Sequence, residues 1–176
     1  MPDIITKDLT IRPCVHSDSK WIFRLSQEKS LAQWMPDQVY KDEKKALEVL
    51  EFLISQYREN SKPDQNPLVY AIVLTKDNLV IGHVGLSPYK SLNQIEIEIG
   101  YAIGGNHQGR GFATQAVLAL SKLAIHKSWA KKIYGIVASE NVGSGRVLEK
   151  SGYQLEGEGM QKYQGKERLC RRYIFS

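Results

Sequence analysis

The stretch Ile95–Lys127, IEIEIGYAIGGNHQGRGFATQAVLALSKLAIHK, changes its period once, and that change decides the fold. Ile95, Ile97 and Ile99 alternate with Glu96, Glu98 and Gly100, the period of two that marks a strand. A glycine-rich turn, Gly104-Gly105-Asn106-His107-Gln108-Gly109-Arg110-Gly111, follows. From Phe112 onward Val117, Leu120 and Ala124 share one helical face, with Ala113 and Ala116 beside it. A strand, a glycine loop and a helix in succession aim unpaired backbone N–H groups and a helix dipole at an anion.

Two phosphate-binding readings fail on their parts. A P-loop needs Lys followed by Ser or Thr after its second spaced glycine, whereas Gly104 leads here to Gly109-Arg110-Gly111. A dinucleotide fingerprint needs a third small residue where Thr114 stands and an acid where Lys131 and Lys132 stand.

Outward from this stretch the chain reads as one domain over residues 1–176, long enough to bury its own core. Hydrophobic residues make up 42% and charged residues 24%, an ordinary globular mixture. The net charge of +5 is spread in short clusters with no arginine-rich tract, which argues against nucleic acid as a direct partner. Cys14 and Cys170 form neither a disulfide framework nor a metal-ligand spacing, so no metal is expected. The start lacks the regions of a signal peptide and no apolar run reaches membrane length, so a soluble, cytoplasmic chain without a membrane partner is expected.

Toward the amino end, Leu9–Arg12 alternates as a short strand closed by Pro13. Ser17 or Asp18 offers a cap to a helix with Trp21, Ile22 and Leu25 inward. Leu31–Pro36 reads as an aperiodic loop whose Trp34 and Met35 are candidates to line a pocket. A second helix from Asp42 to about Asn60 carries Ala46, Val49, Leu50, Leu53 and Tyr57 on one stripe. Val69–Leu74 and Leu79–Leu86 form a hairpin, and Pro88 is read as a turn before the central strand. Beyond Lys127 come a strand at Ile133–Ala138, a short helix at Val142–Lys150 stopped by Gly152, and a strand pair joined through Tyr163-Gln164-Gly165-Lys166. The layout is α+β.

Two motifs carry a resemblance. Gln108-x-x-Gly111-x-Ala113 resembles motif A of the GCN5-related N-acetyltransferases (the GNAT family). Asn141-x-x-Ser144 followed by Val147, then Glu149-Lys150-Ser151-Gly152-Tyr153, is similar to its motif B. Glu98-Ile99-Gly100-Tyr101 and Trp34-Met35-Pro36 are similar to the RimJ/RimL subgroup, which acetylates protein N-termini. The resemblance implies a central, mixed but mostly antiparallel sheet of about seven strands with helices on both faces. The sheet would splay between the fourth and fifth strands, those at Ile95 and Ile133.

It also implies acetyl-CoA as co-substrate. Pantetheine would bond backbone groups near Tyr101 and Ile103. The loop from Gln108 and the amides of Gly109, Arg110, Gly111, Phe112, Ala113 and Thr114 would hold the pyrophosphate, and Asn141 would meet the pantetheine amides. Gly109 and Gly111 are expected because a Cβ would crowd the phosphates. Asn141 also suits a helix cap.

The implied reaction is direct transfer of acetyl to a primary amine. It needs a base, an oxyanion donor and an acid for the departing thiolate. Glu98 is the candidate base and acceptor-side residue, with Trp34 as a further acceptor contact, and Glu96 is read as a solvated neighbour. The family's common tyrosine acid falls at Leu148, which leaves Ser144 or solvent to protonate the thiolate. His83 and His107 read as structural.

Roughly a tenth of an α-amine, with pKa about 7.7–8.0, is free at neutral pH, against less than about a thousandth of a lysine near 10.4. This suits the N-terminal amine of a protein, ribosomal proteins included. Polyamines, aminoglycosides, amino-acid-like amines, or a non-catalytic acyl-CoA-binding module remain alternatives. The oligomeric state is left open, a homo-oligomer included.

Overall fold

The computed structural model describes residues 3–58, 61–90 and 95–176. The strands are β1 (Ile4–Ile5), β2 (Leu9–Pro13), β3 (Leu68–Leu74), β4 (Leu79–Lys90), β5 (Ile95–Ile103), β6 (Ile133–Ala138), β7 (Gln154–Tyr163) and β8 (Lys166–Phe175). The helices are α1 (Ser19–Ser26), α2 (Lys29–Trp34), α3 (Glu43–Arg58), α4 (Phe112–His126) and α5 (Val142–Lys150). They form an eight-stranded sheet in the order β1-β2-β3-β4-β5-β6-β8-β7, one strand more than expected because Ile4–Ile5 adds an edge against β2. Every neighbouring pair is antiparallel except β5 and β6.

Each face of the sheet buries its own core. On one, Ile97, Ile99 and Ile103 of β5 meet Val117, Leu120 and Ala124 of α4, together with Leu148 of α5, Tyr153 and Tyr173. The face read from the α4 sequence is therefore the buried one. On the other, Ala71 and Val73 of β3 pack against Cys14 and against Leu50 and Ile54 of α3. The amino-terminal edge is tied to α4 by Gln115. Its Oε1 accepts the Thr6 hydroxyl at 3.0 Å, and its Nε2 donates to the Asp8 carboxylate at 2.8 Å.

Several local expectations are revised. Asp18 does not cap α1 with its side chain. Its buried carboxylate accepts the Val15 amide at 2.9 Å and takes a two-pronged contact from Arg12 at 2.8 and 2.9 Å. A charged pair outbids a cap for the same oxygens. Leu31–Pro36 is not a loop: it carries the end of α2 and the start of a 3-10 turn, Pro36–Gln38. Pro88 lies within β4, opposite Ile97, and is no turn. Its ring is tolerated because β4 has lost its β3 partner beyond Leu86. The end of the second helix near Asn60, the first two residues of the chain and the side chain of Ile95 lie outside the described residues.

Among the described residues no helix is long and apolar enough to cross a membrane. No group of three or more His, Cys, Asp or Glu is gathered there to hold a metal ion.

Candidate active site

The site begins where β5 and β6 part. Glu98 and Tyr134 are register partners in the single parallel rung between these strands among the described residues. Beyond it, Tyr101 to Ile103 diverge from β6 and leave a wedge in the sheet, as expected for the fourth and fifth strands of the sequence reading. A cavity of about 640 Å³ fills the wedge, lined by Glu98, Tyr101, Ile103, Gln108, Asn141 and Ser144 among others.

The glycine loop shapes one wall. Gly104 N–H is held by the Ile81 carbonyl at 2.8 Å, and Gly105 N–H by the Glu28 carboxylate at 2.9 Å. Gln108 Nε2 donates to the Ile103 carbonyl at 2.8 Å, closing the loop onto the end of β5. Gly109 and Gly111 adopt φ of +74° and +77°, in the left-handed region that favours glycine. A Cβ on either would meet no protein atom within 4 Å, so within the chain itself the backbone turn is what calls for glycine.

Gly111 caps α4 without a side-chain acceptor, and the first turn of α4 contains no acid. The opening amides of α4 thus face an open cavity at the positive end of a helix. Arg146 and Lys150 of α5 line the same cavity. An amide cradle with two cations in the same lining is a donor set that fits a pyrophosphate bearing further phosphate charge.

The far wall carries the acid–base groups. The Glu98 carboxylate receives the Ile136 backbone amide, which favours its charged form. Burial, with Asp37 nearby as a second negative charge, outweighs this and pushes its pKa up to about 7. Tyr101 Oη donates to the Ser144 carbonyl at 2.8 Å, bridging β5 to α5. Burial, the largest influence on this phenol, raises its pKa. Asn141 is the α5 cap, its Oδ1 accepting the Ser144 amide at 3.2 Å.

Trp34, Gly109, Gly111, Phe112, Ala113 and Thr114 also line the cavity. Arg110 does not: it is exposed and outside the lining. Glu96 is no solvated twin of Glu98. It is buried, and both its oxygens accept Arg172 Nη2, at 3.1 and 3.0 Å, while the guanidinium carbon of Arg172 stacks 4.0 Å over the Tyr134 ring. Two consecutive carboxylates on one strand face therefore have separate fates.

The sequence reading missed Asp37, Glu28, Arg146, Lys150 and the tip residues Tyr163 and Gln164. The β7–β8 turn was recognised, with Gln164 at φ +50° and Gly165 at +76°, but nothing local says that it reaches the cavity. The two cations had a readable signal: they fall four residues apart on a helix that Asn141 caps.

Comparison with known proteins agrees with this geometry. A family model described as an acetyltransferase (GNAT) domain matches residues 8–154. An uncharacterised N-acetyltransferase of Bacillus subtilis, YnaD, is 25% identical over 154 residues, covering 88% of this chain and 84% of the relative. RimL, a ribosomal α-N-protein acetyltransferase solved with coenzyme A, superposes with a TM-score of 0.81 at 18% identity, over 99% of this chain and 97% of that one. A chimera containing the Vibrio cholerae spermidine N-acetyltransferase SpeG superposes with a TM-score of 0.74 at 22% identity, over 96% and 95% of the two chains.

Proposed function

Because the chain belongs to the GNAT acetyltransferase family and is an acetyl-CoA-dependent N-acetyltransferase, we propose that it acetylates an α-amine, the N-terminal amine of a peptide or protein in the first instance, with Glu98 as base. The observation that carries this reading is the Glu98 carboxylate at the apex of the wedge, its pKa near 7. A base so tuned is about half ionised at neutral pH and is well matched to an α-amine of pKa about 7.7–8.0, but poorly to a lysine near 10.4. Asp37, exposed at the 3-10 turn after α2, adds negative charge that draws an ammonium toward Glu98.

In this reading the α4 amides, with Arg146 and Lys150, bind the phosphates, and backbone groups of Tyr101 and Ile103 align the pantetheine. Glu98, directly or through one water, takes a proton from the acceptor. The amine nitrogen then attacks the thioester carbon, the C–N bond forms, the C–S bond breaks, and the departing thiolate takes a proton. Ser144 relays that proton, its hydroxyl donating to the sulfur as it takes a proton back from solvent. Its main chain is held from both sides, by Tyr101 at the carbonyl and by Asn141 at the amide, which fixes where its hydroxyl can go.

Release of free thiol from acetyl-CoA in the presence of N-terminal peptides tests the assignment. Amine-dependent release is the expected result. Tight acetyl-CoA binding with no release for any primary amine would instead mark a non-catalytic acyl-CoA-binding module.

A further inference from the structure

A second cavity, of about 380 Å³, continues from the first on the sheet face covered by α1 and α3. Asp37, Met35, Ser87 and Gly100 line both, so the two spaces share a neck beside Glu98. Ser87 is the register partner of Glu98, and Gly100 follows two residues later on the same face. The walls are apolar: Ile22 and Leu25 from α1, Val49, Phe52 and Leu53 from α3. The floor is opened by Gly100. Its φ is not in the left-handed region, and a Cβ there would meet only Met35 Cε, at 4.0 Å. Neither backbone nor packing demands glycine at a strand position that glycine weakens. What it leaves is room.

The polar side chains in the lining of this cavity are Cys14, Ser26, Asp37, Gln38, Tyr40, His83 and Ser87. Asp37 is the one carboxylate in its lining among the described residues. The Cys14 thiol is turned to the Val69 carbonyl at 3.6 Å, and burial pushes its pKa up to about 12. His83, on β4, has no hydrogen-bond partner among the described residues, and burial alone lowers its pKa to about 4. A neutral imidazole with one N–H donor and one bare nitrogen therefore lines the apolar chamber.

From this arrangement we infer that the acceptor is an α-amine carried by a residue with an uncharged, largely apolar or aromatic side chain, which occupies the chamber and offers His83 one hydrogen-bonding group. The inference rests on the acetyltransfer reading for the position of the amine, at the neck between Glu98 and Asp37. A polyamine would bring further cations into a chamber with no further carboxylate. A free carboxylate on the acceptor would face two like charges at the neck. A residue amidated at its carboxyl escapes both penalties, and such a residue comes from a peptide terminus or from a free amino-acid amide.

Thiol release from acetyl-CoA is measured with tyrosinamide, phenylalaninamide, a tripeptide beginning with Tyr, serinamide, free tyrosine and spermidine. Tyrosinamide and phenylalaninamide should exceed serinamide and spermidine in kcat/KM by at least about a hundredfold, since burying several apolar groups separates them. The tripeptide shows whether the source is a peptide terminus. Val49→Trp should fill the chamber and erase the preference while acetyl-CoA still binds. His83→Leu keeps the chamber open and should shrink the tyrosinamide-to-phenylalaninamide ratio by about 2–10-fold. Serinamide or spermidine matching the aromatic amides overturns the inference and leaves the acetyltransfer reading intact. Conversely, if no amine is acetylated, calorimetry with the CoA-loaded protein decides. Tyrosinamide binding tighter than serinamide sustains the chamber's specificity while the catalytic reading falls; equal binding overturns both.

Discussion

Glu98 and Tyr134 pair at the one rung recorded between β5 and β6 among the described residues, so the carboxylate stands where the sheet divides. Replacing Glu98 by Gln keeps its shape and removes its charge. kcat/KM at pH 7 should fall by about 10²–10⁴-fold, with partial recovery toward pH 9 as the amine sheds its proton unaided. In the wild type the rate should climb as pH rises through about 7, where this carboxyl ionises. Acetyl-CoA affinity should change little; steady-state kinetics across pH and calorimetry read both.

The same substitution has a thermodynamic signature. Glu98 has a folded pKa of about 7 against an ordinary 4.5, so the folded chain holds a proton that the unfolded chain has released between those values. Stability must therefore decline as pH rises across that window. Glu98→Gln should gain up to about 3 kcal/mol over the wild type at pH 8 and nothing below about pH 4.5. Parallel denaturation curves at the two pH values check the sign.

Glu96→Gln should do the reverse: little change in turnover, but a loss of about 1–3 kcal/mol, because a buried partner of Arg172 is removed. A large loss of kcat instead would shift the base by one pleat.

His83 behaves oppositely to Glu98 in acid. Its folded pKa near 4 lies below the ordinary 6.5, so the unfolded chain takes up a proton first as pH falls. Stability is lost between about pH 6.5 and 4, and His83→Leu should flatten that part of the stability profile.

Gly111→Asp should abolish acetyl-CoA binding by calorimetry while the fold persists. Asp tolerates the left-handed region better than most residues, and the added Cβ meets no protein atom within 4 Å. Its charge would stand at the anion cradle. Gly111→Asn, uncharged and nearly the same shape, should retain part of the affinity.

How much of this could be read from residues alone depended on distance along the chain. The change of period at Gly104, the Asn141 cap and the glycine loop are local, and over Ile95–Lys127 strand, turn and helix appeared where the pattern put them. α2 escaped notice because its six residues are too few to show a period. Glu96 and Glu98 looked alike because alternation assigns faces and not partners, and Arg172 lies 76 positions away. Asp37 and Tyr163 reach the cavity only through the packing of α2 and the curl of the β7–β8 hairpin, neither of which leaves a local trace.

The parting of β5 from β6 also bears on how a long ligand gets in. An intact ladder would force a chain as extended as pantetheine to thread end-on through a pore or to wait for strands to separate. With the strands already divided beyond Glu98, the ligand can be laid in sideways without breaking a ladder hydrogen bond. Entry then becomes a matter of diffusion and orientation, with no unfolding step in its path.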